Sequence, residues 1–242
     1  MYGRWLEPRN EFSGVLSSDA DRALEALLGY VGSGRFVPCT FRGDGRNWAQ
    51  SVRYSFEGEV GYILWGSSTH TSYANIVRAY ERAYVGRAAG AGGQGEGSNK
   101  LAPRGSEVLV AAFLASGEGS EAQGVGLKGL FGIGVVTDID VDAARRFAGW
   151  REGGGSYWVV RFRARVFWLH RSIRDNPSRP ELWAGEDYRL EGVSTRDNLC
   201  YTERNDEAKK SFTSLILDRI GREEIRQTLL FYQRLASPAA QA

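Results

Sequence analysis

Val60–Tyr84 reads VGYILWGSSTHTSYANIVRAYERAY, and its two periodicities decide the fold class. Tyr62, Ile63 and Leu64 are consecutive, apolar and strand-prone, which predicts a buried strand. The strand delivers Trp65 to its end, where Gly66, Ser67, Ser68 and Thr69 stop the apolar run. Beyond that polar turn, Tyr73, Ile76, Val77, Tyr80 and Tyr84 recur at helical spacing and predict an amphipathic helix. Trp65 has two readings. A large flat ring at a strand end, beside glycine and serine, can stack a planar ligand close to backbone groups. It can equally be an ordinary core tryptophan.

Upstream, residues 1–17 read as irregular, and Ser18–Val31 as a helix with Asp19 and Asp21 near its N-terminus. Leu24, Leu27, Leu28 and Val31 form its stripe, and Gly32–Gly34 end it. Arg35–Phe41, RFVPCTF, is a short strand that Pro38 assigns to an edge or a bulge. A polar loop, Arg42–Asn47, leads to Trp48. Downstream, the glycine-rich stretches 86–98 and 116–126 cannot bury a core and read as flexible loops. Between them, Glu107–Ala115 is a buried strand. Leu130–Val136, LFGIGVV, is another, whose Gly132 and Gly134 predict close backbone approach or sharp bending. A long connection, Asp138–Ser156, precedes what reads as the longest strand, Tyr157–Leu169. Two helices follow, Asp206–Ile220 and Arg222–Leu235, with Gly221 between them. Strands and helices alternate too irregularly for a doubly wound sheet. The glycine-bent strands predict an α+β fold: a small, curved, barrel-like sheet flanked by helices.

Composition excludes several chemistries. Two histidines and two distant cysteines, Cys39 and Cys200, offer almost no material for a zinc site or a histidine-dependent triad. There is no P-loop, no G-x-S-x-G elbow, no dinucleotide fingerprint and no paired carboxylates. The reading is a protein without cofactor or metal that is not an enzyme. No apolar run reaches membrane-spanning length and no signal peptide opens the chain, so a cytoplasmic protein without membrane contact is expected. Net charge is only +2, yet just four of the 31 basic residues are lysine. Arginine grips phosphate in a bidentate way and stacks on bases. The same bias also follows from a GC-rich genome or a hot habitat, the latter fitting the scarcity of oxidation-prone residues.

The residues left over are tryptophan and arginine. Trp150 sits in GWREGGGS, where a core role is hard to explain. Arg161, Arg163 and Arg165 alternate along one face of the longest strand, ahead of a loop and short strand within Tyr188–Thr202, and Arg171 and Arg174 extend the patch. Each alone reads as a solvated face. Together they suggest an anion-binding surface. Exposed aromatic rings beside arginines suit a planar base on its phosphate backbone.

Four segments in order carry a resemblance: ILWGSSTH (Ile63–His70), LKGLFGIGVVTDI (Leu127–Ile139), WREGGGSYWVVRFRARVFWL (Trp150–Leu169) and EGVSTRDNLCYT (Glu191–Thr202). They resemble the YTH domain, of the wider PUA-like group that includes EVE modules and the N-terminal readers of McrB-type restriction proteins. The resemblance implies a PUA-like barrel over 35–220, an N-terminal helical extension, 1–34, and a C-terminal helix and tail, 221–242. It implies a nucleic-acid-binding reader of a methylated base, N6-methyladenine first, in RNA or in flipped-out DNA, with a fused or associated effector such as a restriction motor. Trp65, Trp150 and Trp158 would form the cage. The Gly66 carbonyl would accept the remaining N6 hydrogen, with Ser67 beside it, and Asn47 or Asp44 would read the base edge. Arg196, with Arg161, Arg163 and Arg165, would hold phosphate. Leu199 stands where the family has glutamine, and the glycine-rich insertions are atypical. The alternatives are an EVE-like reader of modified cytosine and an ASCH-type nuclease or hydrolase. The latter needs a clustered set of lysine, tyrosine and carboxylates in the pocket.

Overall fold

The computed structural model describes residues 20–67, 107–116, 124–140, 160–188, 190–191, 199–200 and 206–237. The helix expected over 73–84, both glycine-rich stretches in the main and the connection beyond Asp140 lie outside them.

Helix α1 is Ala20–Gly32, with Asp21 in its first turn and Leu24, Leu27 and Val31 buried. It stops where Gly34, at φ 67°, turns back and donates its N–H to the Val31 carbonyl at 3.0 Å. Strand β1, Phe36–Asp44, runs further than expected. In place of the polar loop at Arg42–Asn47, the strand continues to Asp44 and helix α2, Gly45–Glu57, begins at once. Asp44 is the cap: its carboxylate accepts from the Asn47 N–H at 2.7 Å. Trp48, Val52 and Ser55 then fall on one face, and all are fully buried.

The remaining strands are β2 (Tyr62–Ser67), β3 (Val108–Ser116), β4 (Gly129–Asp140), β5 (Val160–Leu169) and β6 (Leu199–Cys200). They form one sheet in the order β2-β5-β4-β3-β1-β6. β1 and β3 pair in parallel, and every other pair is antiparallel. Pro38 sits in β1, whose outer side meets two residues of β6 among those described. This is close to the edge position that proline needs.

The sheet is curled, and side chains show how far. β1 and β5 are three strand spacings apart, about 14 Å in a flat sheet. Yet the rings of Phe41 on β1 and Phe162 on β5 stack at 5.0 Å. β1 and β2 are four spacings apart, yet Gly43 of β1 touches Trp65 of β2. The result is a half-barrel with aromatic rings across its hollow. Of close approach or bending, the two readings of Gly132 and Gly134, the structure shows close approach. A Cβ on either would lie 2.7 or 2.6 Å from the Phe113 ring, so only glycine lets β3 and β4 close this tightly.

After β5 come α3 (Arg171–Asp175), a 3-10 turn at Pro180–Leu182, α4 (Asp206–Ser214), a six-residue π-helical stretch (Leu215–Ile220) and α5 (Gly221–Ala236). α5 lies on β5, where Thr228 Oγ1 accepts from the Leu169 N–H at 3.2 Å. It lies on α2 too, through Ser55 and Tyr232 hydroxyls 2.9 Å apart. Burial raises the pKa of the Tyr232 phenol, against the hydrogen bond to Ser55. α1 packs along α5 with ion pairs Asp21–Arg226, at 3.0 Å, and Glu25–Arg222. Both outer helices therefore contribute to the same hydrophobic core as the sheet. Among the described residues no helix is long and apolar enough to cross a membrane.

Candidate functional site

β2 ends at the rim of the half-barrel, and several residues singled out in the sequence gather there. Trp65 is only 2 % exposed. One face of its indole lies on Trp48, with ring centroids 3.7 Å apart and planes at 10°. Its Cη2–Cζ2 edge abuts the Gly43 backbone. Trp48 is itself fixed: its Nε1–H donates to the Leu114 carbonyl at 2.8 Å, and Phe131 meets it edge-on at 4.9 Å. These surroundings are those of a core ring that bridges the open edge of the sheet. A planar ligand could stack only on the face turned away from Trp48.

Asp44 and Asn47 follow Gly43 at the β1–α2 corner, where Asp44 caps the helix that carries Trp48. Their polar atoms are turned on each other, with Asn47 Nδ2 donating to Asp44 Oδ2 at 2.8 Å. Ser116 Oγ closes the same corner by donating to the Gly43 carbonyl at 3.2 Å. Gly66 is buried and opposes Arg161 across the β2–β5 ladder, and Ser67 opposes Val160. Trp150, Trp158 and Arg196 lie outside the described residues.

Arg163 and Arg165 on β5 do not form the solvated face that alternation suggested; the Arg161 side chain lies outside what is described. Arg163 is ion-paired on both sides. Its Nε is 2.6 Å from Asp138 Oδ2, a contact of charges, and its Nη1 donates to Glu59 Oε1 at 2.8 Å. Its guanidinium also lies over the Tyr62 ring, 4.7 Å from the centroid. This pairing explains why β4 continues to Asp140 where a connection from Asp138 was expected: Asp138 stands opposite Arg163 in register. Burial raises the Glu59 carboxyl pKa, Arg163 opposes that, and Asp138 adds to it. Arg165 is 3 % exposed and packs over Phe167, with 5.4 Å from Cζ to the ring centroid. Burial lowers its pKa, with Tyr62 opposing. No described residue accepts a hydrogen bond from its Nε. Arg171 is exposed, whereas Arg174 is held by Glu224 and by the Leu169 carbonyl.

His170 caps α3, its Nδ1 accepting from the Ser172 N–H at 3.3 Å and lying 2.8 Å from Ser172 Oγ. A serine beside a histidine invites a catalytic reading. Ser172 Oγ, however, accepts from the Ala184 N–H at 2.8 Å and donates to the Ala184 carbonyl at 3.2 Å. The pair stitches α3 to the segment that seats the buried Trp183. Among the described residues no three His, Cys, Asp or Glu side chains cluster to hold a metal ion.

Sequence reasoning missed Trp48 and Gly43 at the rim, and Glu59 and Asp138 beside the arginines. The signal for Trp48 was present in Asp44 followed by Trp48, Val52 and Ser55, a capped helix with one buried face. Nothing in sequence distance pointed to the Glu59–Arg163–Asp138 cluster.

No family model and no curated protein matches the chain.

Proposed function

We propose that this chain is a YTH-like, PUA-like reader of a methylated base, with N6-methyladenine as the preferred ligand, in RNA or in flipped-out DNA. The observation that carries the reading is the approach of Trp65 to Gly43 across the curled sheet, at the strand end from which Asp44 and Asn47 lead into α2. An aromatic ring there would stack the base, and the Asp44–Asn47 pair would exchange its internal bond for the base edge. Gly66, next along β2, would offer its carbonyl to the N6 hydrogen. The base would lie on the Trp65 face away from Trp48, so a covering segment must move aside to admit it. Trp150 and Trp158 would close the cage. Arg163 is ion-paired and Arg165 buried, so Arg161 and Arg196 would be the residues to hold the phosphate.

The energetics suit recognition. Adenine is neutral, so stacking and methyl burial do the discriminating. One buried methyl contributes roughly 0.8 kcal/mol by area and about 1–3 kcal/mol in a shaped pocket, on the order of 10- to 200-fold. Extrusion from a duplex costs a few kcal/mol that a single strand avoids.

The test is binding of matched oligonucleotides with and without N6-methyladenine, as RNA, single-stranded DNA and duplex DNA. A further arm carries 5-methylcytosine. Tighter binding of the N6-methyladenine strand, lost in Trp150→Ala and Trp158→Ala, supports the reading. Preference for the modified cytosine shifts it to the EVE-like alternative. No preference for either modification ends it.

A further inference from the structure

The chain has two cysteines, and the sheet sets them opposite each other. Cys39, in the middle of β1, and Cys200, in β6, are direct partners in the antiparallel β1–β6 pair. Opposed residues in such a pair have Cα atoms about 4.5–5.5 Å apart. A disulfide spans Cα separations of about 4.4–6.8 Å, so this backbone position meets its main requirement. Cys39 is fully buried, and its thiol points a weak hydrogen bond at the Val37 carbonyl, 3.7 Å away. Among the described residues β6 is two residues long and pairs with β1.

We propose that Cys39 and Cys200 are a disulfide-forming pair, a modification site that clips β6 to β1 under oxidising conditions. The chemistry is thiol–disulfide exchange with a small disulfide such as oxidised glutathione. One protein thiolate attacks the small disulfide, forms a mixed disulfide and releases one small thiolate. The second protein thiolate then displaces the other small thiolate and forms the Sγ–Sγ bond. The two cysteines lose two electrons and two protons in all, and the oxidant leaves as two thiols. In a reducing cytoplasm the pair stays as thiols. Burial of Cys39 makes the reaction slow and gated by opening of the short β6 pairing.

The test uses the whole 242-residue protein, reduced and then held in a glutathione buffer as oxidising as a secretory compartment. The expected product is a monomer lighter by two hydrogens. Both thiols should be lost to maleimide after denaturation, and a digest should contain a Cys39–Cys200 cross-linked peptide. Its thermal midpoint should rise by several degrees and fall back on adding dithiothreitol. Cys200→Ser, which leaves the buried Cys39 in place, should fold, fail to cross-link and show no such rise. Three results overturn the proposal: both thiols persisting at equilibrium, mixed glutathione adducts with no internal bond, or a cross-link that forms only between two molecules. None of these depends on what the protein binds.

Discussion

Gly43→Ala should destabilise the protein through Trp65, a residue four strands away in the sheet. The new Cβ would stand 2.3 Å from Cη2 and 2.4 Å from Cζ2 of Trp65, where carbon atoms in contact need about 3.5–4.0 Å. The ring would have to withdraw by more than an ångström. It has little room, because Trp48 lies 3.7 Å away and is tied to the Leu114 carbonyl. Overpacking of this kind costs about 1–3 kcal/mol. For a chain of this size that lowers the midpoint by roughly 2–12 °C. Trp65→Phe removes the two atoms that collide. In that background the alanine methyl fills vacated space, and Gly43→Ala should cost nothing or stabilise slightly. The double-mutant cycle should therefore show a coupling of about 1–3 kcal/mol. Urea unfolding of the four proteins, followed by circular dichroism at 25 °C, measures it. If Gly43→Ala costs the same in both backgrounds, Trp65 does not bridge the rim and the curl is wrong. Trp65→Ala is a poorer probe of binding, because losing a buried indole costs about 3–5 kcal/mol by itself.

Other expectations concern charge. Burial lowers the His170 pKa, with Glu186 opposing and Arg171 and Arg174 adding to it, so the unfolded chain binds the proton more readily. The contribution of His170 is complete above its unfolded value near 6.5 and falls as pH drops below it, since protonation also removes the Nδ1 acceptor that caps α3. His170→Asn keeps a capping oxygen and should flatten that slope in thermal melts between pH 5 and 7. Glu59 has the opposite sign: its folded pKa is raised, so its contribution is complete below the unfolded value near 4.3 and is lost as pH rises through the folded one. The stability of wild type relative to Glu59→Gln should therefore decline as pH rises through that window, and a difference that grows would contradict the assignment. Arg165→Met should leave urea stability unchanged or raise it, because an apolar side chain replaces a buried cation. If Arg161 serves a phosphate, Arg161→Met should weaken methylated and unmethylated oligonucleotides equally and flatten the salt dependence. A change in methyl preference alone would assign it to the base instead.

The sheet was largely legible in the sequence because its signals are local. Three apolar residues before Trp65, the run at 107–115 and the glycines at 132 and 134 each carry a strand or a close approach within a few positions. α2 escaped because its opening, Arg42–Asn47, is polar and looks like a loop until Asp44 is read as a cap. The rim escaped for another reason. Gly43 has no side chain to signal a contact, and its partner Trp65 is separated from it by four strand spacings that only curvature removes. The arginine row shows the limit of alternation. Period two places Arg163 and Arg165 on one face correctly, but whether that face meets water depends on Glu59, Tyr62 and Asp138, which come from other parts of the chain.

The pairing of α1 with α5 has a consequence for how the chain is made. Asp21 hydrogen-bonds Arg226 across a separation of 205 residues, and Glu25 meets Arg222 across 197. β1 must also find β3 in parallel, with more than sixty residues looped out between them. Contacts this remote give little until long loops have closed, which slows folding. On the ribosome, α1 is made about two hundred residues before α5, and the part of its leucine stripe that α5 covers stays open over that interval. At about 5–20 residues per second, that leaves an apolar helix face open for roughly ten to forty seconds of synthesis.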